Sequence, residues 1–270
     1  MAKLERLLVT GAAGGLARLV RDNLAKLAHS IRLSDIADPG EIGAAEFVEC
    51  DLADRAGVEA LVKGCDGIIH LGGISKENTF ETILQSNIIG VRNIYDAAQN
   101  HGQPRILFAS SNHVVGFYGQ DEYIGADAAH QPDSWYGVSK SFGEAAALMY
   151  WRKFGQESAL VRIGSCFDVP ADRRMQATWL APEDFVSLAE RVFYAPRLGC
   201  PVIYGVSDNE AVWWDNSATS YLGWKPQHSS AQFDADVVAR NPDIPGKDDP
   251  VAKYQGGVFT DAPLWESGAD

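Results

Sequence analysis

LLVTGAAGGLA, residues 7–17, passes from an apolar run through a glycine cluster into a helical pattern. The run LERLLVT (4–10) reads as a buried strand. Gly11, Gly14 and Ala17 then give a G-x-x-G-x-x-A spacing at the strand-to-helix turn. The first glycine permits a sharp turn and the second lets the backbone approach a pyrophosphate. Ala17 is small enough for close helix–strand contact, and the helix start, with Gly15 and Leu16, offers N–H groups to an anion. This pattern is weak by itself; its place inside a βαβ unit makes dinucleotide binding the favoured reading.

Asp35 lies 24 positions after Gly11, at the end of the second expected strand. A carboxylate there accepts hydrogen bonds from ribose hydroxyls and repels a 2′-phosphate. Ile36 and Ala37 follow it without a cation, so NAD is expected rather than NADP. Asp51 and Leu52 are placed to flank the adenine, and Leu71, Gly72 and Gly73 to let the backbone pass the cofactor ribose.

Strands and helices alternate outward from this stretch. IRLSD (31–35), FVECD (47–51), DGIIHLGG (66–73), PRILFASS (104–111) and SALVRIG (158–164) read as further strands. Helices are expected over 15–28, 53–65, 78–100 and 134–155. Such alternation points to right-handed βαβ units and a parallel sheet covered on both faces. After residue 165 the pattern loosens into a Pro/Asp/Arg-rich loop, a helix near 182–195, a short strand PVIYG and a Pro/Asp-rich stretch. The expectation is an α/β, Rossmann-type doubly wound sheet over 1–164. A small, partly discontinuous C-terminal cap over 165–270 packs on it, either as a second domain or as part of one structural domain.

The chain has 270 residues, 46% of them hydrophobic, which suits one sizeable core. Its net charge of −13 disfavours nucleic acid and anionic membranes as partners. An anionic substrate would need a local cation. MAKLERLLVTG lacks the apolar run of a signal peptide, and no stretch approaches a membrane span of about 20 apolar residues. The expectation is a soluble, cytoplasmic protein. Cys50, Cys65, Cys166 and Cys200 are dispersed and read mainly as small hydrophobes, and no metal-ligand spacing is visible.

SWYGVSK (134–140) places Tyr136 four residues before Lys140, on one face of a helix. A free phenol titrates near pH ~10, too high for a base at neutral pH, so a nearby cation must favour the phenolate. With Ser111 upstream and the glycine turn in front, the chain resembles the extended branch of the short-chain dehydrogenase/reductase superfamily. The resemblance implies that Tyr136 is the general base. Lys140 would lower its pKa and bind the nicotinamide ribose, and Ser111 would orient the reacting hydroxyl. Dehydratases of this branch carry an acidic pair after the Ser/Thr. Here those positions hold Asn112 and His113, which argues against dehydration.

HLGGIS (70–75), SNIIG (86–90), ASSNH (109–113), ALVRIGSC (159–166), DFVSL (184–188), WWDNS (213–217), YLGWKP (221–226) and QGGVFTD (255–261) resemble the uronate dehydrogenases more narrowly. That resemblance implies oxidation of the C1 hydroxyl of cyclic D-galacturonate or D-glucuronate to an aldarolactone, with reduction of NAD. By the same resemblance Ser75, Ser111, Asn112, His113 and Ser165 bind sugar hydroxyls, Arg174 holds the carboxylate and Phe259 walls the pocket. Adjacent Arg173 leaves the carboxylate ligand open between two arginines. A nucleotide-sugar enzyme of the same superfamily and a non-catalytic NAD-sensing regulator stand as the alternatives. The preferred uronate and the oligomeric state, including a homo-oligomer, are left open.

Overall fold

The computed structural model describes residues 3–264. Seven parallel strands form one sheet in the order β3-β2-β1-β4-β5-β6-β7. They are β1 (Leu4–Thr10), β2 (Ala28–Asp35), β3 (Glu46–Glu49), β4 (Gly67–His70), β5 (Arg105–Ser111), β6 (Ser158–Ile163) and β7 (Val202–Gly205). Successive side chains of a strand face opposite ways. Leu7 and Val9 therefore enter one core layer with Leu33, Leu107 and Val161, while Leu8 enters the other with Ile68, Ile106 and Phe108.

Helix α1 (Gly15–Leu24) covers the first layer through Val20 and Leu24. The second is covered from α2 (Arg55–Val62) by Val58 and Leu61. The expected long helix over 78–100 is divided into α3 (Phe80–Ile83), a π-helical segment Leu84–Ile89, and α4 (Gly90–Asn100). Tyr136 and Lys140 lie on α5 (Trp135–Phe154), capped by Ser134, whose hydroxyl accepts from the Gly137 N–H, and ended by left-handed Gly155. Gly143 lets α5 approach the sheet, since a Cβ there would stand 2.2 Å from the Phe108 ring.

Beyond residue 164 the loop expected to be irregular contains α6 (Arg173–Thr178), started by Asp172 accepting from the Met175 N–H. Helix α7 (Pro182–Tyr194) sends Phe185, Leu188 and Val192 into the same core layer as α1. β7 pairs with β6 from Leu160↔Val202 to Ile163↔Gly205, so the sheet and its core continue past residue 164. Two short α-helices follow, α8 (Asp234–Arg240) and α9 (Pro250–Lys253), and then a 3-10 turn, Gly257–Thr260. Cys50, Cys65 and Cys166 are buried as small hydrophobes. Among the described residues no helix is long and apolar enough to cross a membrane.

Candidate active site

After β3 the chain returns to lay β4 on the far side of β1, which opens a crevice at the carboxyl ends of these two strands. Gly11 sits there with φ of 74°, and a Cβ on it would lie 2.7 Å from both the Gly72 nitrogen and the Leu71 carbonyl carbon. Glycine is therefore required by backbone conformation and by contact. Gly14 precedes α1 without any side-chain cap, and a Cβ on Gly15 would meet nothing within 4 Å. An uncapped helix start facing open space suits an anionic pyrophosphate.

Asp35 flanks this turn. Its carboxylate accepts from the Ala13 N–H at 2.9 Å and from the Ala37 N–H at 3.1 Å, so it also braces the glycine loop. Ile36 is exposed beside it. Leu52 is wedged between Gly72 and Gly90, where added Cβ atoms would lie 2.7 and 2.8 Å from it. Exposed Asp51 accepts from the Ala53 N–H. Gly73 has φ of 128° and faces Asn87, which the π-helical segment carries. Asn87 accepts from the Ile74 N–H, donates to the Ile74 carbonyl, and donates to Ser139 Oγ on α5. Asn87 therefore braces the segment after β4 against α5. The residues present fit a dinucleotide.

Tyr136, Lys140 and Ser111 are all buried. Lys140 Nζ donates to the Ala109 carbonyl at 2.7 Å and lies 5.6 Å from the centre of the Tyr136 ring. Burial lowers this ammonium to about 8. The expected depression of the phenol is not found. Burial pushes Tyr136 up to about 12, a hydrogen bond with Ser111 opposes the rise, and the Asp133 charge adds to it. Desolvation outweighs the nearby cation in this site.

Ser111 caps the turn Asn112–Val115, which presents Asn112 and His113 beside α5. The His113 ring centre lies 5.7 Å from that of Tyr136 and 4.0 Å from that of Phe259. Arg174, on α6, donates from Nε to the Gln255 carbonyl at 2.8 Å. In its satisfied orientation the Asn112 amide accepts from Arg174 Nη2 at 3.0 Å and donates to the Ile163 carbonyl. Burial lowers the Arg174 pKa, against Asp172 and Asp133, which raise it. Arg173 turns elsewhere, to the Asn241 carbonyl at 3.2 Å.

The structure thus brings Ser111, Asn112, His113, Tyr136, Lys140, Arg174 and Phe259 into one cluster. Ser165 is buried, with its hydroxyl on Thr178 Oγ1 at 2.9 Å. Ser75 is exposed after β4 and has no hydrogen bond among the described residues. Three supporting residues escaped sequence reasoning. Asp133 pairs with His113, Glu77 accepts from the Trp135 and Tyr136 N–H groups, and buried Gln255 accepts from Trp214 Nε1 while its carbonyl holds Arg174. Only the QGG triplet gave a local signal, for Gln255. Among the described residues no His/Cys/Asp/Glu group is arranged to hold a metal.

Residues 7–170 match the model of the NAD dependent epimerase/dehydratase family. A uronate dehydrogenase from Agrobacterium fabrum is 54% identical, over 97% of this chain and 99% of its own length. One from Pseudomonas syringae pv. tomato is 51% identical, over 94% and 93%. The uronate dehydrogenase of Agrobacterium tumefaciens, a tyrosine-to-alanine mutant complexed with NAD, superposes with a TM-score of 0.95. It is 53% identical and covers 97% of this chain and 99% of its own. A glucuronic acid dehydrogenase from Chromohalobacter salexigens also gives 0.95, at 52% identity over 97% and 98%. The chain therefore belongs to the NAD dependent epimerase/dehydratase family and, within it, to the uronate dehydrogenases.

Proposed function

We propose that this protein is an NAD-dependent oxidoreductase that oxidises the C1 hydroxyl of cyclic D-galacturonate or D-glucuronate to the aldarolactone. The observation carrying this reading is the placement of Arg174 against Asn112, on the same short turn as His113 and beside Tyr136. A guanidinium at that point gives an acidic protein the local cation a sugar acid requires.

Gly11, Gly14, Gly15, Leu16, Asp35, Asp51, Leu52, Leu71, Gly72 and Gly73, with Tyr136 and Lys140, would hold the coenzyme, which supplies the hydride acceptor and a positive charge. Tyr136 takes the proton of the anomeric hydroxyl. With Lys140 already in place the phenol stands near 12, so the positive charge that the coenzyme would bring is what would favour its use as a base. Ser111, hydrogen-bonded with Tyr136, steadies the developing carbonyl oxygen. Ser75, Asn112, His113 and Ser165 bind sugar hydroxyls, Arg174 binds the carboxylate and Phe259 walls the pocket. The ring stays closed, so the product is a lactone and no water is consumed.

In this reading the substrate is shared between the two parts of the chain: Ser75, Ser111, Asn112 and His113 come from 1–164, and Ser165, Arg174 and Phe259 from 165–270. The reaction belongs to the cytoplasm, where its coenzyme circulates. The test is coenzyme reduction followed by absorbance with galacturonate, glucuronate, glucose and UDP-glucose. Reduction confined to the uronates supports the proposal, reduction with UDP-glucose favours the nucleotide-sugar alternative, and reduction with none favours the regulator.

A further inference from the structure

We infer that Asp133 is a positioning residue that locks His113 in the Nδ1–H tautomer, so that neutral His113 offers Nε2 to a sugar hydroxyl as an acceptor. The inference rests on the functional reading above for the identity of the sugar, and on geometry alone for the tautomer.

Asp133 is buried at the foot of α5. Its Oδ1 accepts the Ser134 hydroxyl proton at 2.8 Å, and that hydroxyl in turn accepts from the Gly137 N–H at 3.0 Å. The direction of this chain is fixed by the backbone N–H at its start. Oδ2 faces His113 Nδ1 at 2.7 Å. An ionised carboxylate only accepts, so the shared proton belongs to Nδ1. The neutral imidazole then has a bare Nε2, which has no partner among the described residues.

The carboxylate occupies a space shaped by two glycines from distant parts of the chain. A Cβ on Gly116 would lie 1.9 Å from Oδ2, and one on Gly256 would lie 2.0 Å from it. The Gly256 N–H donates to the Gly116 carbonyl at 2.8 Å, which closes that space. His113 is meanwhile held on its ring face by Phe259, so both its tilt and its tautomer are set by the protein. A second-layer carboxylate that fixes a histidine's protonation pattern determines which sugar atom the other nitrogen can accept from.

The test is histidine ¹⁵N NMR of the sugar-free protein at about pH 8, above the ordinary histidine range, with His113→Gln used to assign the resonance. In the wild type, Nδ1 is expected to be protonated and Nε2 bare. In Asp133→Asn the amide can donate to the ring, and the preference should move towards Nε2–H. Kinetically, Asp133→Asn should raise KM for the uronate about tenfold or more, change kcat less, and leave NADH affinity unchanged. A bare Nδ1 in the wild type overturns the inference, and this holds even if the variant does not fold. Unchanged tautomer and KM in a folded variant overturn it too. So does a parallel loss of NADH affinity and uronate KM, because that marks a merely structural role. The NMR arm uses no sugar, so its result is separate from any failure of the uronate reading.

Discussion

Arg174 Nε donates to the backbone carbonyl of Gln255 at 2.8 Å, tying α6 to the segment that carries Phe259. Gln255 is anchored through its side chain to Trp214, Gly119 and Glu122, so the guanidinium rests on a rigid support. A Cβ on Gly257 would lie 2.6 Å from Arg174 Cδ, which leaves one route for the side chain.

Arg174→Ala is therefore expected to lower kcat/KM for uronates by roughly 10- to 150-fold, the worth of one charged hydrogen bond to substrate. NADH affinity, measured by fluorescence titration, should be nearly unchanged. Arg174→Lys should recover only part of the loss. An ammonium cannot bond Gln255 and Asn112 and still meet a carboxylate with two parallel N–H groups. Unchanged uronate kinetics in the alanine variant would remove Arg174 from the site.

Tyr136→Phe removes the base while keeping the ring against His113 and Phe259. Turnover should fall by about 100- to 10,000-fold, the range of general acid–base catalysis. NADH affinity should stay within a few-fold. Near-normal turnover would exclude proton abstraction by this residue.

The two buried groups also predict a pH signature in stability. The Lys140 pKa is lowered from 10.5 to about 8, so between those values the unfolded chain binds more protons and stability rises with pH. The Tyr136 pKa is raised from 10.0 to about 12, so its contribution is present below pH 10 and is lost as pH climbs towards 12. Denaturant midpoints across this span should show Lys140→Met flattening the lower limb and Tyr136→Phe reducing the upper loss. Identical pH profiles in all three proteins would contradict these environments.

Behind the site, buried Glu144 receives two bonds of 2.9 Å from Arg162 and one of 2.6 Å from Ser110, the neighbour of Ser111. Burial would raise its pKa, but His130, Arg162 and Ser110 hold it at about 2. Glu144→Gln leaves the Arg162 charge unpaired in the core and should cost about 3–5 kcal/mol in unfolding free energy. A loss below about 1 kcal/mol would show that the pair is dispensable.

Local pattern was enough to read the nucleotide half of the fold. Gly11 and Gly14 sit at a turn whose function depends on adjacent residues, and Tyr136 and Lys140 share one helix face. The misses have a common physical origin. Asp133 reveals its role only through His113, 20 positions away, and through glycines 116 and 256, which close around it. Arg174 and Arg173 are indistinguishable in the sequence until α6 turns one towards Asn112 and the other towards Asn241. The short α6 was hidden because its start depends on the single cap Asp172 rather than on a long apolar period. The phenol was expected to be acidified because the cation is close in sequence, while the burial that outweighs it is a property of the folded chain.

Asp35 braces Ala13 and Ala37 at the glycine turn, and its carboxylate is expected to decide coenzyme choice. Asp35→Ser with Ile36→Arg should shift preference from NAD towards NADP. It should also weaken NAD binding, because the glycine loop loses its brace. Equal use of both coenzymes by the wild type would reduce Asp35 to a loop support.

Recognition of a sugar acid by its carboxylate during oxidation at C1 is measured most directly with the wild-type enzyme, NAD and matched pairs of acid and neutral sugar. Glucuronate and galacturonate should exceed glucose and galactose in kcat/KM by roughly 10-fold or more, and Arg174→Ala should narrow that gap. Oxidation of glucose as efficiently as glucuronate would show that the carboxylate is not what the enzyme reads.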